Sequence, residues 1–360
     1  MAGLADALRE PILLRPNRIP RFYRGGRLLA DFRGDAGATD DDRPEDWVGS
    51  ATRAWTPPAA APSDLGLSMV EVAGRSATLD ELLTAEPGSL IGEAFLERAG
   101  PTLGLLVKLL DAGERLPVHC HPARDAAARL LGSAFGKTEA WLILGARDGS
   151  SARVWAGFRD AVSRDQLRDW IDRQDSDALL GSLVEHTVGP GDVILIPAGT
   201  PHAIGAGIFL LELQEPTDFS VVAETRGFPV ASDDATLGLG WDAAIGFFET
   251  GAVHDLSQTP TAVGGGLTRL LGPAADPFFR ALRLEVSGES SVDVEPSFAI
   301  GVVLNGSGEV RGASTALPLQ RGSTFALPAA AMADARVAGD GLRLVLCLPP
   351  RPDLAPRSLD

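Results

Sequence analysis

Cysteine is almost missing from this chain: of 360 residues, only Cys120 and Cys347 are cysteines. So few exclude a disulfide-built scaffold and a paired-cysteine zinc site. Lysine is as scarce, because Lys108 and Lys137 are the only lysines among 32 basic residues. Each of the two therefore stands out against a background in which arginine supplies the cations. No apolar run approaches the roughly 18 residues of a membrane-spanning helix. An excess of positive charge is lacking too, since the net charge is −16 and the pI near 4.8. That balance argues against nucleic acid or an anionic membrane as partner, and a phosphorylated ligand would need a local basic pocket. The opening MAGLADALREPILL has no basic region leading into a long apolar core, so the expectation is no secretory signal and a cytoplasmic protein.

What is present is a chain 45% hydrophobic and long enough for about two domains. It is organised around residues 190–220, PGDVILIPAGTPHAIGAGIFLLELQEPTDFS. Val193 to Ile196 has the length and β-branched character of a strand buried on both faces. Pro197, Gly199 and Pro201 force a corner, His202 follows, and Ile208 to Leu213 reads as a second strand interrupted by one carboxylate, Glu212. A buried acid of that kind needs a partner or a task.

A second constellation lies upstream, in Leu116-Pro-Val-His-Cys-His-Pro122 and Gly136-Lys-Thr-Glu-Ala-Trp141. In an extended strand His119 and His121 share a face, and so do Lys137, Glu139 and Trp141. A lone histidine beside a core strand is usually structural. Here three of the five histidines fall in two strand-turn signatures, and three imidazoles with one carboxylate suit a first-row divalent metal.

The blocks LLVKLLDAGERLPVHCHP (105–122), GKTEAW (136–141) and GDVILIPAGTPHAIGAGIFLLELQ (191–214) resemble, in order and approximate spacing, the type I mannose-6-phosphate isomerases of the cupin superfamily. Weaker echoes lie in Gly25-Gly26-Arg27-Leu28 and Glu45-Asp46-Trp47. The resemblance implies a mainly β fold of two tandem cupin-type jelly-roll barrels with a small helical insertion. Residues 1–250 would form the metal-binding catalytic domain, with the insertion at about 160–185, and residues 251–360 a second, metal-free domain. It also implies metal ligation by His119, His121, Glu139 and His202, one divalent metal with zinc foremost, and a sugar or sugar phosphate as partner. Two departures matter. His119 stands where the family's commonest first ligand is glutamine, which leaves iron, manganese or nickel open. Val222 stands where the family carries an arginine, and Arg226 is the substitute candidate.

Along the chain, residues 10–35 read as early strands or extended arms, Trp47 to Trp55 as a strand, and Pro57 to Asp64 as a Pro/Ala loop. A capping box starts a helix at Thr78, and further helices are expected at Gly92 to Glu97, Arg124 to Leu131, Ser163 onward, Asp177 to Leu183 and Trp241 to Phe248. From Gly266 short strands alternate with Gly and Ser. There Gly322 to Ala333 echoes the His202 block, with Ala333 in the histidine's place.

Aldose–ketose isomerisation moves a proton between C1 and C2 through an enediolate, and a divalent metal stabilises the developing charge. Glu212 is the first candidate to carry the proton, the alternative being a buried acid paired with an arginine. Lys137 is the candidate to contact substrate oxygens, the alternative being a salt bridge to a neighbouring acid. The expected reaction is mannose 6-phosphate to fructose 6-phosphate. An isomerase of an unphosphorylated sugar and a non-catalytic sugar-binding cupin are the other readings, and the sequence leaves the oligomeric state open.

Overall fold

The computed structural model describes residues 3–55, 63–147, 152–253, 255–292 and 294–359. Most of the expected Pro/Ala loop at 57–64 lies outside the described residues. The architecture is mainly β, with three large antiparallel sheets of eight, seven and five strands and one two-stranded hairpin. No helix is long and apolar enough to cross a membrane.

The seven-stranded sheet holds Glu45–Val48, Leu106–Ala112, Glu139–Ala146, Val193–Ile196 and Ile208–Gln214. Its strands are near-continuous apolar runs because both faces are covered. Val107, Leu109, Leu142, Leu211 and Leu213 pack outward against the helices of residues 79–99 and against Ile300 and Val345 of the eight-stranded sheet. Leu110, Trp141, Ile143 and Ile194 pack inward, against Val154, Ala156 and Ile204 of the five-stranded sheet. That sheet runs through Leu183–Val188, Ala152–Phe158, His202–Ile204, His119–Cys120 and Val221–Val222. Its far side is covered by the helices Arg164–Arg173 and Ser176–Gly181 through Leu167, Ile171 and Leu179.

The eight-stranded sheet contains the long strands Arg280–Ser291, Ala299–Arg311 and Arg336–Leu348. At its edge the N-terminal strand Ile12–Leu14 pairs with Thr324–Leu327. Pro328 ends that strand, and Ala333 caps the short helix Ala329–Met332.

Several expectations need correction. A helix, Arg27–Arg33, occupies the stretch read as extended. Its start is fixed by tertiary contacts: the buried Asp111 carboxylate accepts from the N–H groups of Gly26 and Leu28, 85 and 83 residues away in sequence. The strand at Trp47 begins earlier and stops at Val48, where Gly49 turns with φ 57°. The helix expected to reach Leu183 ends at Gly181, and Leu183 opens an edge strand. The two strands expected at 298–304 and 308–311 are one. By contrast, Thr78 and Glu81 form their capping box, and the Arg124–Leu131 helix has the expected bounds.

The corner before His202 depends on Gly199, whose φ of 87° is left-handed and whose added Cβ would stand 2.8 Å from Glu249 Cγ and 3.0 Å from the Phe247 carbonyl oxygen. Gly199→Ala should therefore destabilise the protein by about 1–3 kcal/mol. A fall in the denaturation midpoint checks this, and an unchanged midpoint would show that the turn tolerates a side chain.

Candidate metal centre and cavity

The two facing sheets bring the sequence-distant histidines and Glu139 together. His119 pairs with both His202 and Val222 in the five-stranded sheet. Glu139 lies opposite, between Ile196 and Gln214 in the seven-stranded sheet. Backbone bonds knit the loops: Gly199 N–H donates to His121 O (2.7 Å) and Lys137 N–H to Pro122 O (3.0 Å). Gly136 permits this approach, since a Cβ there would meet the Pro122 carbonyl oxygen at 2.5 Å.

Each imidazole is oriented the same way. The Nδ1 atoms of His119, His121 and His202 lie 2.8, 2.7 and 2.8 Å from the carbonyl oxygens of Pro117, Phe219 and Thr200. A carbonyl only accepts, so Nδ1 carries the proton and Nε2 keeps its lone pair. One potential ligand atom from each of the three histidines lies within 4.8 Å of those of the other two. Atoms each about 2.0–2.2 Å from one metal lie at most about 4.4 Å apart, so little movement is needed. Glu139 adds oxygens 3.1 Å from His121 Nε2 and 3.3 Å from His202 Nε2, and Trp141 Nε1–H steadies it at 3.1 Å. His202 Nε2 is buried with no hydrogen-bond partner. Such an orphan is costly unless something binds it, so the donor set fits a divalent metal.

Burial, with the neighbouring histidines and Lys137, holds His119 well below its usual pKa. Burial and Lys137 hold His121 down to about 3. Neutral imidazole is the ligating form. Burial opposes the charge on Glu139, but Lys137 and the histidines more than offset it and keep the carboxylate ionised. The Lys137 ammonium bonds Glu139 Oε2 (2.9 Å) and also His121 Nε2 (2.8 Å). One lone pair cannot serve both, so a metal on His121 releases Lys137 from it.

Beside this cluster lies a cavity of about 440 Å³, walled in part by His119, Lys137, Glu139 and Glu212. Glu212 faces inward, and its partner is a lysine rather than an arginine. Lys108 lies directly across the strand pair, its Nζ 3.3 Å from Glu212 Oε1 and 3.5 Å from Glu45 Oε2. That oxygen of Glu212 nevertheless lacks a directed hydrogen bond. Burial, then the Glu139 charge, pushes the Glu212 carboxyl above its ordinary pKa. Lys137 forms the salt bridge of the alternative reading, to Glu139, and also lines the cavity.

Arg226 is not brought to this site. It is exposed, and its guanidinium donates to the Arg173 carbonyl. The arginine in the wall is Arg21, held by Glu45 (3.1 Å) and Asp218 (3.1 Å). Tyr23, the only tyrosine in the chain, donates to Glu45 Oε1 at 2.6 Å. Sequence reasoning missed Arg21, Tyr23, Glu45, Lys108 and Asp218 as wall residues. For Lys108 the signal was there: a single charge inside LVKLL is as anomalous as Glu212 inside LLELQ.

Facing antiparallel sheets with a histidine–carboxylate cluster between them define a cupin-type fold with a metal-competent centre. No protein-family model matches the chain. Over 321 residues, 89% of this chain and 92% of the relative, it is 28% identical to the mannose-6-phosphate isomerase of Streptococcus mutans. The structure of the mannose 6-phosphate isomerase from Bacillus subtilis matches with a TM-score of 0.72 at 25% identity, covering 94% of this chain and 99% of that one. A mannose 6-phosphate isomerase bound with zinc and yttrium matches with a TM-score of 0.69 at 16% identity over 95% of this chain and 100% of that one, a likeness of fold alone. The resemblance read from three blocks thus runs along nearly the whole chain.

Two outcomes are expected. Purified protein should carry about one divalent metal per chain, lost in His121→Ala and His202→Ala; elemental analysis showing full metal in these variants would contradict the ligand set. In acid, Glu45 should matter. Burial alone would raise its pKa, but Arg21 and Lys108 hold it down at about 2 from 4.5. A depressed carboxylate stabilises the fold above its unfolded pKa, and that stability, on the order of 3 kcal/mol, is lost as pH falls from about 4.5 to about 2. Unfolding free energy of Glu45→Gln should therefore fall less steeply in that window than that of the unsubstituted protein.

Proposed function

We propose that this chain is a metal-dependent aldose–ketose isomerase interconverting mannose 6-phosphate and fructose 6-phosphate. The observation that carries the reading is the juxtaposition of a metal-competent cluster with a buried carboxylate, Glu212, that keeps one oxygen unbonded in the same cavity. Similarity to proteins named mannose-6-phosphate isomerase over 89% of the chain supports it.

His119, His121, Glu139 and His202 would hold the metal, zinc foremost, with iron, manganese and nickel compatible with the donors. A bound metal would supply Lewis-acid polarisation of the open-chain sugar's oxygens. Glu212 carries the proton between C2 and C1. Its raised pKa suits a group that must both take up and return a proton. Lys108 holds the carboxylate in place at 3.3 Å, and Lys137 donates to a substrate oxygen. Residues 1–250 act as the metal-binding domain, and residues 251–360, with Ala333 in the histidine's place, as a metal-free structural domain. Two free, buried cysteines are in keeping with a cytoplasmic location.

Glu212→Gln keeps the size of the side chain and removes its charge. It should lose on the order of a hundredfold or more in turnover, the scale of general acid–base catalysis, with Tm little changed. Near-normal turnover would move the proton-carrying role elsewhere, and no turnover by the metal-loaded unsubstituted protein would favour a sugar-binding role.

A further inference from the structure

Glu215 is a fully buried carboxylate that is not part of the cavity wall. It directly follows the strand that carries Glu212, and an odd number of residues after Glu212 its side chain turns away from the cavity. Both of its oxygens are taken: Oε2 accepts the Thr138 N–H at 2.9 Å, and Oε1 accepts from Arg124 Nε at 2.5 Å. The Glu215 N–H in turn donates to the Thr138 carbonyl at 3.1 Å. One residue thus grips both main-chain polar groups of Thr138, which lies between Lys137 and Glu139.

The grip extends to the neighbouring segments. The Thr138 hydroxyl oxygen accepts the Ala198 N–H at 3.2 Å, immediately before the Gly199 corner that leads to His202. Two residues past Glu215, the Thr217 hydroxyl donates to the Gly136 carbonyl at 2.7 Å. On the other side, Arg124 opens the helix that starts three residues after His121. Its guanidinium also donates through Nη2 to the Pro277 carbonyl at 2.7 Å and stands 4.6 Å over the Phe278 ring. Pro277 and Phe278 lead into the long strand Arg280–Ser291 of the eight-stranded sheet. A continuous set of bonds therefore runs from that sheet through Arg124 and Glu215 to the backbone that presents Lys137 and Glu139.

We propose that Glu215 and Arg124 are positioning residues for the metal centre, fixing the Lys137–Glu139 backbone from behind and tying it to the eight-stranded sheet. The proposal rests on the ligand set His119, His121, Glu139 and His202, and it adds two residues that do not touch the metal. Bonds just outside a metal's ligands orient them, and their loss typically costs about ten- to a hundredfold in metal affinity or activity. Among the described residues Arg124 is the only ion-pair partner of Glu215, so removing Arg124 alone would leave a buried charge unpaired.

The test is zinc affinity of the full-length chain, measured by competition with a chromophoric chelator. In Glu215→Gln one of the two acceptor oxygens becomes an N–H donor facing Thr138 or Arg124, and the dissociation constant should rise about ten- to a hundredfold. The double variant Arg124→Gln/Glu215→Gln removes both buried charges together and should show the same rise. Leu344→Ala is the control: it opens a cavity in the core of the eight-stranded sheet, lowers the melting temperature and should leave zinc affinity unchanged. Cobalt in place of zinc gives a second readout, because its visible spectrum follows ligand geometry. That spectrum should change in Glu215→Gln and stay the same in Leu344→Ala. Unchanged zinc affinity in Glu215→Gln, or an equal loss in Leu344→Ala, would overturn the proposal while leaving the ligand set in place. No zinc bound by the unsubstituted protein would overturn both.

Discussion

Three hydrogen bonds from imidazole Nδ1–H to backbone carbonyls are what the site depends on. Pro117, Phe219 and Thr200 supply the acceptors, and each lies in a segment fixed by other contacts. The Pro117 segment is held by Glu224, whose carboxylate takes the Val118 N–H at 3.0 Å and a fork from Arg115. The Thr200 segment is fixed by the Gly199 corner. Fixing the tautomer from outside sends all three Nε2 lone pairs to one point, and outer bonds of this kind orient metal ligands generally. The fold therefore prepares a binding geometry through main-chain positions that no side-chain substitution easily replaces.

Around that point the protein accepts an unusual density of buried charge. A row running across the seven-stranded sheet, Trp47, Lys108, Glu212 and Trp141, sets a charged pair between two tryptophans. Lys108 stands 5.0 Å over the Trp47 ring as well as between two carboxylates. Buried ion pairs are poor sources of stability, since desolvation consumes most of what attraction returns. Their presence here is better understood as the means of keeping a carboxylate, Glu212, buried and incompletely bonded next to a metal-competent cluster.

Much of this was legible in the sequence, for physical reasons. Strands covered on both faces are apolar throughout, so a single Glu in such a run, Glu212, is conspicuous, while His119 and His121 stand out because residues two apart on a strand share a face. The Thr78 capping box and the Arg124–Leu131 helix are local signals and could be read locally. What escaped was set by tertiary contact. The Arg27–Arg33 helix is started by Asp111 from another strand, and Arg21 reaches the cavity because Ile19 and Glu45 are strand partners. Arg226, chosen for its nearness in sequence to Val222, leaves the site because Gln174 takes its N–H at 2.8 Å and the chain turns toward the helix Arg164–Arg173. Spacing along the chain could not show that turn.

Three imidazoles and one carboxylate should converge on a single metal. In crystals grown with zinc, anomalous scattering should show one strong peak about 2.0–2.2 Å from Nε2 of His119, His121 and His202 and from a Glu139 oxygen. A peak bound elsewhere, or none at this point with the Lys137 ammonium still on His121 Nε2, would contradict it.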